Sequence, residues 1–145
     1  MNPQSGWTLV ELMIVVAVAG TLVGMAAPAV SGGLEAARAG AKVFLALNTY
    51  PQAHGLERWK KAIDQAADYG MDAIILADPG LMQYAMKTHP RLHLHLSVQG
   101  SATNYEAINF YHEHFGIRRA VLPRVLSFAQ VEELAAGTPV ELELF

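Results

Sequence analysis

The 145-residue chain contains no cysteine. Disulfides, thiolate nucleophiles and any metal or cluster held on cysteine are therefore outside its chemistry. Basic residues are also few: 10 Lys and Arg against 13 Asp and Glu leave a formal net charge of −3. A broad nucleic-acid-binding face usually needs a basic balance, so no nucleic acid partner is expected from composition. Short catalytic signatures are missing too, with no G-x-S-x-G elbow, phosphate-binding loop or dinucleotide fingerprint. The run Tyr111-His112-Glu113-His114-Phe115 is not a zinc-protease motif, because H-E-x-x-H would need histidine where Gly116 stands.

What the chain does have is a hydrophobic content of 52%, with the excess near its start. Residues 12–34 carry no charge, a stretch of about 23 residues and long enough to span a bilayer as a helix. A secretory signal would have a basic start and a shorter apolar core. The expectation is an apolar, transmembrane-like helix, with a buried soluble helix as the alternative. Ser31-Gly32-Gly33 forms a natural joint. We therefore divide the chain into a membrane segment over 1–31, a linker over 32–41 and a folded domain over 42–145. Arg38, Lys42, Arg58, Lys60 and Lys61 all follow the apolar run and no basic residue precedes it, which places the later part of the chain on the cytoplasmic side.

Beyond residue 41, apolar runs of strand type alternate with amphipathic stretches. Strands are expected over 42–47, 73–77, 92–98, 119–122 and 140–145. Helices are expected over 56–69, from Asp78 to His89, from Thr103 or Asn104 to Gly116, and from Ser127 to about Ala136. Asp78 before Pro79 reads as an N-cap, and Ser127 with Gln130 as a capping box. The fully apolar 73–77 run suits a strand covered by helices on both faces. Five strands joined by four helices imply an α/β fold with a parallel sheet, open or barrel-like, short of the eight strands of a closed barrel.

Parallel sheets bind ligands where their strands end. Asn48, Asp78, Gln99 and Arg124 each stand at or just past a strand's C-terminal end and would share one rim. There Arg124 would take a carboxylate or phosphate while the other three orient a substrate. The structural alternative is a helix cap for Asp78, a turn for Asn48 and plain surface for Arg124. Ser97, Ser101 and Asn104 fall in the same loops. His93 and His95, two apart on a strand, share a face and would be a first pair of metal ligands, but no third is evident and no metal is expected. His112 and His114 point apart on a helix and are expected to be solvated.

The stretch HLSVQGSATNYEAINFYHEHFGIRRAVLPRVLS, with its Ser97–Asn104 and Leu122–Ser127 segments, resembles the collagenase-like peptidase family of unknown catalytic type. Within that family it is most similar to the ubiquinone-biosynthesis branch, the UbiU proteins, over residues 42–145. The resemblance implies a barrel-like α/β domain, an iron–sulfur cluster on four cysteines, and oxygen-independent hydroxylation with a UbiV-like partner. It also implies relatives that hydroxylate RNA bases. With zero cysteine, no such cluster is expected in this chain, and no catalysis is expected from it alone.

Gly6-Trp7-Thr8-Leu9-Val10-Glu11, followed by the apolar run and Pro28, resembles the N-terminal methylation signal of type IV pilins and pseudopilins. That resemblance implies cleavage after Gly6, methylation of Trp7, pairing of Glu11 with a neighbouring subunit's terminal amine, and a membrane anchor over residues 7–30. A carboxylate at the edge of an apolar helix is costly unless paired, which agrees with that role for Glu11. The two resemblances join unrelated pieces and imply opposite compartments. A truncated, chimeric hydroxylation segment, a pilin-like subunit and a small-molecule binding module are the readings this sequence supports.

Overall fold

The computed structural model describes residues 14–17, 35, 38–52 and 54–144. Its frame is a parallel sheet whose strands lie in the order in which they occur along the chain. These are β1 (Ile14–Ala17), β2 (Val43–Leu47), β3 (Ala73–Leu76), β4 (His93–Leu96), β5 (Arg119–Val121) and β6 (Glu141–Glu143). Four helices connect the last five strands: α1 (Leu56–Asp68), α2 (Pro79–Thr88), α3 (Tyr105–Phe115) and α4 (Phe128–Gly137). Every neighbouring pair of strands is parallel. The five strands expected after residue 41 are all present.

Local chemistry places the helix ends. The Asp78 carboxylate accepts the Leu81 N–H at 2.8 Å with Pro79 in the first turn. Asn104, not Thr103, caps α3 by accepting from the Ala107 N–H at 2.8 Å. Gly116 ends α3 in the left-handed region at φ 68°, where a side chain would be strained. Ser127 and Gln130 close the capping box of α4 from both sides.

Helices α1 to α4 cover one face of the sheet. Ile63 and Ala66 of α1, Leu81, Met82 and Ala85 of α2, Ile108 of α3 and Leu134 of α4 share a core with Leu47, Ile74, Leu76, Leu94, Leu96, Ala120 and Leu122. Those strand residues are two apart along each strand and level across the register, so they project to one side. Phe44, Ala46, Ala73 and Ile75 form a separate cluster on the opposite side. Among the described residues, the helical layer meets β3 through one face, Ile74 and Leu76. The residues of β3 are all buried. The strands thus lie in sequential order, with α1 to α4 on one side.

The larger correction falls in the apolar run. Ile14–Ala17 is a strand paired with β2, from Ile14 opposite Val43 to Ala17 opposite Ala46, where an apolar helix was expected. Ile-Val-Val is a β-branched run that fits a strand as well as an apolar helix, and the outer edge of β2 offers unpaired backbone groups. The rest of the expected membrane helix, with Gly6, Trp7, Glu11 and Pro28, lies outside the described residues. Among those described, no helix is long and apolar enough to cross a membrane. In the expected linker, Glu35 and Arg38 are helical and the Ala39 N–H donates to the Glu35 carbonyl at 3.0 Å.

Candidate functional site

Because the strands are parallel, the residues that follow them gather at one end of the sheet. Asn48 follows β2, Asp78 follows β3, Gln99 follows β4 and Arg124 follows β5. Asn48 and Asp78 are half-buried, whereas Gln99 and Arg124 are exposed. Gln99 lies in a short 3₁₀ turn (Val98–Gly100) that begins at the buried Ser97. Its N–H donates to Ser97 Oγ at 3.2 Å, and its carbonyl accepts the Tyr50 hydroxyl at 2.9 Å, joining the loop after β2 to the turn after β4. Ser101 follows in the left-handed region at φ 52°. The Asp78, Ser97 and Asn104 side chains thus have structural partners, and the side-chain amide of Gln99 is left for other contacts.

Two tyrosines at this end were not anticipated. Tyr111, half-buried on α3, has its hydroxyl's pKa pushed above the ordinary value chiefly by burial, with smaller contributions from the neighbouring Tyr50 and Asp78 side chains. Beside Arg124 a groove of about 280 Å³ runs between Leu122, Phe128, Val131 and Leu144.

The sheet's other face, away from the helices, holds a second polar group. His95 is level with Arg119 of β5, and Arg119 with Glu141 of β6. Arg119 donates to Glu141 Oε1 at 2.8 Å and to Glu143 Oε2 at 3.1 Å, and its guanidinium lies 5.6 Å from the Phe44 ring centre. His95 is buried, with its ring edge-on to Phe44 at 5.1 Å. Burial above all, then the nearby Arg119 charge, lowers its pKa from 6.5 to about 4, so the ring is neutral at pH 7. The expected partner in a metal pair, His93, is exposed. Sequence reasoning missed Arg119, Glu141 and Glu143. The available signal was alternation in 119–121 and 141–143, which puts the three charges on one face once the strands are set level.

A third cluster ties α1 to α2. Asp64 accepts the Tyr84 hydroxyl at 3.0 Å and contacts His89 Nε2 at 2.6 Å, an arrangement that lowers the Asp64 pKa chiefly through the histidine. At the end of α3, the expectation of solvated histidines holds for His114, which is exposed and stacked on Phe110. It fails for His112, whose half-buried ring bonds the Ile117 carbonyl at 2.8 Å and closes the turn into β5.

Among the described residues, no group of three or more His, Cys, Asp or Glu could hold a metal ion. The donor set also does not fit the iron–sulfur cluster that the resemblance implies, since such clusters need thiolates and the chain has none.

The model of peptidase family U32 matches residues 32–145. The chain belongs to peptidase family U32. A solved U32 structure, the U32 peptidase Mk0906, superposes with a TM-score of 0.65 at 20% identity, over 81% of this chain and 51% of that one. This likeness concerns the fold alone. Among curated relatives of this U32 chain, tRNA hydroxylation protein P of Escherichia coli (strain K12) is 32% identical over 112 residues, 77% of this chain and 24% of that protein. The tRNA hydroxylation protein P1 of Bacillus subtilis (strain 168) is 28% identical over 117 residues, 80% of this chain and 28% of that protein. The 23S rRNA 5-hydroxycytidine C2501 synthase of E. coli is 31% identical over 108 residues, 74% of this chain and 16% of that protein. This U32 chain spans about a quarter of the length of the first two and less of the third. Separately, the prokaryotic N-terminal methylation motif matches residues 1–27.

Proposed function

We propose that this chain is a hydroxylation-related U32 member that supplies a substrate-facing β/α layer and performs no catalysis alone. The observation that carries this reading is the U32 match over 32–145, in a region also similar to proteins named for tRNA and rRNA hydroxylation. The lack of cysteine supports its second half, because redox chemistry on a cysteine-held cluster has to come from elsewhere. In β/α barrels substrates sit at the C-terminal ends of the strands. Asn48, Asp78, Gln99 and Arg124 are the binding groups there, with Arg124 taking a carboxylate or phosphate.

The finer assignment is to the ubiquinone branch, as a UbiU-type segment acting with a UbiV-like partner. A net charge of −3 favours a small aromatic substrate over an RNA backbone, whose binding draws on many cationic contacts. The test is anaerobic loading of the purified chain with iron and sulfide, followed by thermal denaturation with aromatic carboxylic acids. The expected results are no stoichiometric uptake of iron or sulfide, and a stabilisation by the acid that Arg124→Ala removes. One cluster per chain refutes the non-catalytic half, and an unchanged ligand response in Arg124→Ala refutes the rim.

The match of residues 1–27 to the methylation motif favours a second reading, a pilin-like subunit anchored through residues 7–30. In either reading the chain is membrane-associated by its N-terminal segment. The basic residues after that segment support a cytoplasmic C-terminal part in the first reading. Mass spectrometry of the membrane fraction separates the two: cleavage after Gly6 with methylated Trp7 supports the subunit, and an intact Met1 start in the membrane argues against it.

A further inference from the structure

Val125, Phe128 and Leu144 are 81%, 85% and 53% exposed, and among the described residues no other aliphatic or phenylalanine side chain is as open to water. Apolar side chains exposed singly are ordinary, but a group of them in one place marks a contact site. Phe128 and Leu144 belong to the wall of the groove of about 280 Å³ beside Arg124. Local chemistry builds that wall. The capping box at Ser127 starts α4 soon after β5, so Phe128 and Val131, one helical turn apart, reach the same groove as Leu122 and Leu144, which follow β5 and β6.

Of the described residues that line the groove, only Arg124 is charged. A guanidinium presents a flat fork of donors that matches a carboxylate through two parallel hydrogen bonds. The first turn of α4 lies here as well, and the positive end of a helix adds to the attraction for an anion. A dianion would find one cation for two charges. The rest of the lining is apolar and has no hydrogen bond to offer a polar body. A water's share of the liquid is about 30 Å³, so the groove has room for about nine non-hydrogen atoms.

We propose that this groove binds a small monocarboxylic acid, with the carboxylate on Arg124 and an apolar body the size of one ring against Phe128, Val131 and Leu144. The proposal rests on the reading of Arg124 as an anion-binding group of the rim, and adds where the acid's body goes and which residues select it. The described lining includes none of Asn48, Asp78 and Gln99. Selection of the body therefore falls to α4 and to the residues that follow β5 and β6.

The test is a ligand-observed NMR titration of the full chain at pH 7 with benzoate, benzamide and acetate. Benzamide keeps the ring and loses the charge, and acetate keeps the charge and loses the ring. Saturable binding of benzoate is expected, with benzamide and acetate each weaker by about tenfold or more. Arg124→Ala should abolish the preference for benzoate over benzamide. Phe128→Ala, at a position open to water, should fold as wild type does and weaken benzoate by about threefold or more. Val131→Phe fills the groove and should weaken benzoate by about tenfold, whereas Phe110→Ala, exposed on α3 and outside the lining, should change nothing. Equal binding of benzoate and acetate overturns the proposal and leaves Arg124 standing as an anion-binding group. Equal binding of benzoate and benzamide overturns both. Full benzoate binding in Phe128→Ala and Val131→Phe alike overturns the groove alone. No saturable binding of any probe overturns the proposal as well.

Discussion

Acid should weaken this fold through one identifiable proton. His95 is buried in the sheet with a pKa of about 4, against 6.5 in an unfolded chain. At 1.36 kcal/mol per pH unit, that gap corresponds to about 3 kcal/mol. The folded form keeps the ring neutral, so its pKa is depressed and the stability it contributes is complete above pH 6.5. As pH falls from 6.5 towards 4, the unfolded chain takes up a proton that the folded chain refuses, and the contribution drains away. Below about 4 both forms are protonated and the loss stops. The groups facing the ring act in both directions: Arg119 and His93 disfavour its cation, and Glu141 favours it less strongly than burial opposes it. Against a typical domain stability of about 5–15 kcal/mol, such a loss is large. The assay is urea unfolding followed by circular dichroism at pH 7.5, 6, 5 and 4, on wild type and His95→Gln. Carboxylate titrations are common to both proteins and cancel in the difference. Wild type should lose about 3 kcal/mol more than the variant between pH 7.5 and 4. Parallel pH profiles for the two proteins would refute the reasoning.

Three further outcomes follow from particular contacts. Leu76→Ala, at a fully buried position of β3, should cost about 2–5 kcal/mol in urea unfolding, whereas Phe128→Ala, at 85% exposure, should cost less than about 0.5; comparable losses would mean that the helical layer is not the core. Asp78→Ala removes the cap of α2 and should cost about 1 kcal/mol, read from the same curves. A stability equal to wild type would release Asp78 from structural duty. A Cβ at Gly137 would come within 2.6 Å of the Tyr105 ring, so Gly137→Ala should destabilise by about 1–3 kcal/mol. Adding Tyr105→Ala should restore part of that loss, and strict additivity of the two would contradict the clash.

The helices and later strands were legible because their ends are punctuated by residues with single-purpose chemistry. Asp78-Pro79, Asn104, Gly116 and the Ser127–Gln130 pair each name a boundary from within a few residues, and the structure places boundaries at those positions. The common position of Asn48, Asp78, Gln99 and Arg124, as distinct from any role there, was legible for a related reason: if every strand is parallel, the residue after each one lies at a known end. What was not legible depends on long-range register. Arg119 is 22 and 24 residues from the glutamates it holds. In a local window a charged residue in a short strand looks like surface. Phe44 and His95 likewise meet only through two intervening crossovers. His112 shows the same effect at shorter range, since a helical wheel sends it to solvent and the Ile117 carbonyl, beyond the helix end, brings it back.

The strand at residues 14–17 is where the two halves of the chain make competing claims on the same backbone. The methylation motif matches 1–27 and the U32 match begins at 32, so β1 belongs to the first by sequence and to the second by hydrogen bonding. In a bilayer every N–H and C=O must be satisfied within its own helix, because lipid offers no partner. In the sheet those groups of β1 face β2 instead. Ile14–Ala17 cannot do both at once. Without β1, β2 would be the edge of the sheet, and Val43, Phe44, Ala46 and Leu47 are buried. A bare, apolar edge of this kind invites pairing with another chain. Membrane insertion of the N-terminal segment therefore carries a structural cost in the domain that follows it: another strand, from this chain or a second one, has to cover β2 wherever β1 is withdrawn.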